Sequence, residues 1–121
     1  MTLPFALVIE DDPILGKVYL TALKSVGFEA ALDPDGDLYA EVLKTRLPDI
    51  IFLDLHLPYA SGAEILAAIR ANEAWRAIPV VVMTADIITA KQMEGRADRV
   101  LIKPVSVMRI QEIAAQLTAP K

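Results

Sequence analysis

The stretch Phe5-Ala6-Leu7-Val8-Ile9-Glu10-Asp11-Asp12-Pro13 sets the reading of the chain. Five apolar residues run without polar alternation, the pattern of a strand buried on both faces. Three acids follow. Asp12 then stands as a helix N-cap, with Pro13 at the first helical position, where a missing N–H leaves nothing unsatisfied. Leu15, Val18, Tyr19, Ala22, Leu23 and Val26 continue at helical spacing as one apolar stripe, and Gly27 suits the stop. Together these make one strand–helix unit with acids at the joint.

The unit recurs four more times. Residues 28–32 read as a second strand, Asp33-Pro34-Asp35-Gly36 as a turn, and Leu38, Val42 and Leu43 as a short helix closed off before Pro48. Residues 50–53 form a third strand that ends at Asp54. Ser61-Gly62-Ala63-Glu64 has the capping-box pattern ahead of a helix lined by Ile65, Leu66 and Ile69. Residues 80–83 are a fourth strand, 88–94 a poor helix, and 100–102 a fifth strand. Ser106 caps a last helix carrying Val107, Ile110, Ile113, Ala114 and Leu117. Five such units predict one α/β domain over 1–121, a doubly wound five-stranded parallel sheet with helices on both faces and right-handed crossovers. Of the common strand orders the flavodoxin-like 2-1-3-4-5 is chosen, although pattern alone does not set the order.

Composition narrows the function classes. The net charge of −4 carries no basic cluster, which argues against direct nucleic-acid binding and against attraction to an anionic membrane. The absence of cysteine excludes disulfides, thiolate catalysis and cysteine-held metals. No apolar stretch is long enough to cross a bilayer. Residues 1–9 lack the basic start and long apolar run of a signal peptide. A soluble cytoplasmic setting is expected.

Ligands of an open parallel sheet bind beyond the carboxyl ends of its strands. There the first strand delivers Glu10, Asp11 and Asp12, the third Asp54, the fourth Thr84, and the fifth Lys103 and Pro104. Carboxylates crowded at one edge need a proton or a cation. Mg²⁺, which takes carboxylates, waters and phosphate oxygens, suits them. Lys103 adds positive charge, Thr84 a hydroxyl donor, and an aspartate can act as nucleophile to give an acyl phosphate. The set suits an in-line phosphoryl transfer.

At these residues the chain resembles the response-regulator receiver family (CheY-like, two-component systems). Val8-Ile9-Glu10-Asp11-Asp12 is similar to its acidic pair, and Phe52-Leu53-Asp54-Leu55-His56-Leu57-Pro58 to its phosphoacceptor segment. Gly62 matches its third-helix glycine, Val82-Met83-Thr84-Ala85 its hydroxyl segment, and Ile102-Lys103-Pro104 its lysine segment. The likeness runs from about Leu7 to Leu117. It implies Asp54 as phosphoacceptor, and Mg²⁺ held by Glu10, Asp11, Asp54 and the backbone carbonyl of His56. It implies Thr84 and Lys103 as partners of the phosphoryl group, and a cis Lys103–Pro104 peptide. The implied partners are a histidine kinase or histidine phosphotransfer protein, an unidentified downstream protein, and a second copy in a homodimer. The implied role is a signalling switch, not an enzyme beyond slow self-dephosphorylation. Stand-alone receiver, phosphorelay shuttle and fragment of a longer regulator all stay open.

Two departures fall on one face. The family places an aromatic residue three positions before its lysine, and here Val100, with one stiff torsion and no ring, stands there. Nineteen positions separate Thr84 from Lys103, about one helical turn fewer than the family's spacing. A short or irregular fourth helix and an unusual readout are therefore expected. His56, the sole histidine, is expected near the mouth of the site, where its ring bears on acyl-phosphate hydrolysis. Asp86 reads equally as a mouth charge and as a plain exposed acid. Trp75 reads as a lid on the third helix.

Other readings compete. An aspartate-nucleophile phosphatase wants a second Asp where His56 stands. A flavin carrier wants a Ser/Thr/Gly loop where three acids stand. A pseudo-receiver, binding partners without phosphate, is kept open by the altered face.

Overall fold

Three strands supply the centre of the molecule. β1 (Phe5–Ile9), β3 (Ile50–Asp54) and β4 (Val80–Thr84) are buried at every residue, which is why their sequences lack polar alternation. β2 (Glu29–Asp33) and β5 (Arg99–Ile102) are the edges and stay partly exposed. The computed structural model describes residues 3–58 and 60–118. All neighbouring strands pair in parallel, in the order β2-β1-β3-β4-β5, as expected.

The connections are α1 (Pro13–Lys24), α2 (Tyr39–Thr45), α3 (Gly62–Ala71), α4 (Ile87–Met93) and α5 (Val107–Thr118). Tyr19 and Leu23 of α1 and Ile110 and Ile113 of α5 pack with Val8, Phe52 and Met83 on one face. Leu43, Leu66, Ile69 and Met93 pack with Leu7, Leu53 and Val82 on the other.

Several local readings shift. β2 begins one residue later than the apolar run, because its register pairs Glu29 with Phe5 and Asp33 with Ile9. Phe28 instead turns into the core, its N–H donating to the Leu23 carbonyl at 3.1 Å. The α1 stripe is narrower than its spacing suggests. Val18 is 38% exposed, and Val26, beyond the helix, is 48% exposed. Asp33 does more than begin a turn. Fully buried, it accepts N–H bonds from Asp35, Gly36, Leu38 and Tyr39, and so caps α2, whose own N-cap, Leu38, has no side-chain acceptor.

Trp75 is half-buried and meets Tyr39 edge-on at 6.5 Å, so it ties α2 to the segment after α3 rather than covering α3 alone. The fourth helix is short but regular. Asp86 caps it by accepting from Ile88 and Thr89, Ala90 and Met93 anchor it, and Gly95 at φ +82 ends it. β-branched residues in the first turn are tolerated because the cap and the buried pair outweigh their propensity.

Candidate functional site

The candidate residues lie at the carboxyl edge of the sheet because each is the last residue of a strand or one of the next two. Glu10 follows β1, Asp54 and Thr84 end β3 and β4, and Lys103 follows β5. Glu10 and Thr84 are fully buried and Asp54 is 2% exposed. Lys103 reaches between the acids: its Nζ donates to Glu10 Oε1 at 2.8 Å and to Asp54 Oδ2 at 3.1 Å. The other oxygen of Asp54 accepts the His56 backbone N–H at 2.9 Å. Asp11 is exposed at the rim. Asp12 serves as the α1 cap, accepting from Ile14 and Leu15. Lys103–Pro104 is cis.

The electrostatics follow from burial and pairing. Burial and the neighbouring Asp54 push the Glu10 carboxyl up to about 7, against the pull of Lys103. Burial alone would raise Asp54 too, but bonds from Glu10, the His56 N–H and Lys103 outweigh it and hold Asp54 below its usual range. Burial would depress Lys103, yet the two carboxylates raise it. The site therefore pairs an ionised acceptor, Asp54, with a neighbour that holds a proton to near neutrality.

The donor chemistry suits a hard cation. Glu10, Asp11 and Asp54 each offer a carboxylate oxygen, all within 4.8 Å of one another, and oxygen-only sites select Mg²⁺-like ions.

Thr84 is engaged in a way the sequence does not signal. Its Oγ1 lies 2.8 Å from His56 Nε2 and accepts the Asp86 N–H at 3.1 Å. His56 and Thr84 are 28 positions apart, and only the pairing of β3 with β4 brings them together. Asp86, open in the sequence reading, has its carboxylate committed to the start of α4, where bonds from Thr89 Oγ1 and the Ile88 and Thr89 N–H groups hold it below its ordinary value.

Gly62 explains how α3 fits under this loop. A Cβ there would sit 2.5 Å from Leu55 Cα and 2.6 Å from the Asp54 carbonyl oxygen. Neither backbone atom can give way without moving Asp54. Gly62→Ala is expected to cost about 1–3 kcal/mol, seen as a lower urea midpoint at unchanged slope. An unchanged midpoint would mean that the helix start can slide.

Comparison with known proteins shows the family and the fold. The family model described as "Response regulator receiver domain" matches residues 6–115. The DNA-binding response regulator MtrA of Mycolicibacterium smegmatis is 30% identical over 116 residues, covering 93% of this chain and 48% of that protein. The chain thus spans about half the length of that curated relative. The polar-differentiation response regulator DivK of Brucella ovis is 27% identical over 109 residues, 88% of this chain and 89% of that protein. The fold is shared with chemotaxis response regulator CheY4 of Vibrio cholerae at TM-score 0.87 and 18% identity, over 96% of this chain and 99% of that one.

Proposed function

Since the chain belongs to the response regulator receiver domain family of two-component systems, we propose that it takes a phosphoryl group onto Asp54 and signals by the change of shape that follows. Receivers are signalling domains that work between histidine kinases and downstream effectors. On this reading the donor is a phosphohistidine of a kinase or phosphotransfer protein in the cytoplasm. The P–N bond breaks as an Asp54 carboxylate oxygen forms the new P–O bond, and the leaving imidazole nitrogen keeps the electron pair. Water later attacks the acyl phosphate, releasing inorganic phosphate and restoring the carboxylate. The chain is a substrate and switch in this scheme, not an enzyme acting on other molecules.

The observation that carries the reading is the state of Asp54: buried, held ionised, and oriented through both oxygens by Lys103 and the His56 N–H. Glu10, Asp11, Asp54 and the His56 carbonyl would hold Mg²⁺, which neutralises charge on the transferring phosphoryl oxygens. Lys103 exchanges its carboxylate partners for the phosphoryl group, and Thr84 donates its hydroxyl to a phosphoryl oxygen. The DNA binding in the name of the mycobacterial relative belongs to that protein; this chain, at −4 without a basic cluster, is assigned none.

The test is intact mass after incubation with a small phosphodonor. One phosphoryl adduct is expected with Mg²⁺ and none with a chelator or in Asp54→Asn. If neither an adduct nor a beryllium fluoride-dependent change in the amide spectrum is seen, the reading fails and the pseudo-receiver takes its place.

A further inference from the structure

The bond between His56 and Thr84 is made by the only histidine in the chain. His56 is tied at three points. Its N–H holds Asp54, its backbone bridges to Ser61, the cap of α3, and its ring meets Thr84. The residue therefore touches the phosphoacceptor, the start of one helix and the hydroxyl that must turn toward the phosphoryl group. Its ring lies at an exposed position, whereas Thr84 is fully buried. Val100, by contrast, packs half-buried against the α2–α3–α4 side of the core and has no ring to swing.

A hydroxyl has one hydrogen to give and two lone pairs. In Thr84 the Asp86 N–H takes one lone pair. The hydrogen can go to only one strong acceptor at a time. A phosphoryl oxygen carries charge and outcompetes a neutral imidazole nitrogen for it. Where Nε2 is the acceptor of that hydrogen, the bond to the ring is lost once Asp54 carries phosphate, and no second side-chain bond holds the ring among the described residues.

We propose that His56 is the positioning residue that reads this switch. The Thr84 O–H donates to Nε2 in the unphosphorylated chain, and the ring is released when Thr84 turns to the phosphoryl oxygen. The signal then emerges where the β3–α3 loop meets the start of α4, around His56, Ser61 and Asp86, and not through residue 100. This inference rests on the function proposed above.

Because the histidine is unique, ¹⁵N-labelled imidazole spectra report it without assignment. In the free protein Nε2 is expected unprotonated, with the proton on Nδ1. Thr84→Val should move the ring signals to those of a solvent-exposed histidine without any activation. Mg²⁺ with beryllium fluoride should do the same to the wild type, whereas Mg²⁺ alone should not. Removing the competing acceptor in His56→Ala, which keeps the backbone carbonyl, should tighten beryllium fluoride binding roughly two- to tenfold.

Ring signals unmoved by Thr84→Val, or a proton found on Nε2, overturn the inference. So does a wild type whose site amides shift on activation while the ring does not. If no amide shifts at all, the phosphoacceptor reading fails, and this inference with it.

Discussion

Lys103→Met should lose about 2–4 kcal/mol of stability in metal-free buffer near neutral pH, because it strands two buried carboxylates. The ammonium is the only cation bonded to Glu10 and Asp54 among the described residues, and its side chain is 18% exposed against 0% and 3% for theirs. Without it, one of the two acids must take a proton or both must repel. The loss should shrink at about pH 5, where Glu10 is protonated, and shrink again with Mg²⁺. Urea midpoints in those three conditions are the measurement. A variant as stable as wild type in chelator at neutral pH would show that the bridge contributes nothing to the folded state. In a Glu10→Gln background the same substitution should cost markedly less, since only one carboxylate is left unpaired.

The second large effect is the pH dependence of the metal-free wild type. Glu10 sits at about 7 when folded, from a reference of 4.5. Between those values the folded chain binds a proton that the unfolded chain does not. Its contribution is therefore complete below the reference and is lost as pH rises through about 7, and a shift of this size corresponds to about 3 kcal/mol. Asp54 has the opposite sign. Lowered from 3.8, it contributes above that value, and the contribution disappears as pH falls through the depressed pKa. Metal-free stability should then peak in mildly acidic solution and decline toward about pH 8. Glu10→Gln should remove most of the decline. Since a cation competes with the Glu10 proton, Mg²⁺ affinity measured by calorimetry should rise across the same window. A flat stability profile in chelator would contradict the assignment of the proton to this cluster.

Much of this was legible in the sequence, and for a physical reason. Strand and helix periods are local, so the apolar runs and the Asp12, Ser61 and Ser106 caps announce their elements directly. All three side chains cap their helices, Ser61 through its own hydroxyl only, with no return bond to the Glu64 side chain among the described residues. The position of a residue at or just past a strand end is local as well, and parallel strands bring such residues, Glu10, Asp54, Thr84 and Lys103, to one edge. Val100 was legible as a missing ring. The limits were also local ones. The first-helix stripe is narrower than its period implies because spacing shows which residues share a face but not how far the neighbouring helix reaches; Val18 fits the period and is still 38% exposed. Asp33 looked like turn chemistry because its four N–H partners become partners only once the loop closes around it.

The sequence by itself determined the five strand–helix units, the acidic edge and the residues that meet there, since each depends on spacing within a few residues. Tertiary structure alone decided which of those residues bond. Lys103 pairs with Glu10 across 93 positions and with Asp54 across 49. His56 finds Thr84 because β3 and β4 lie in one register, Asp54 opposite Met83. Glu10 is raised, and Asp54 lowered, by burial and by neighbours that no local pattern contains. Hydrogen bonding and desolvation depend on distances in space, and the chain order carries those distances only after the sheet has set them.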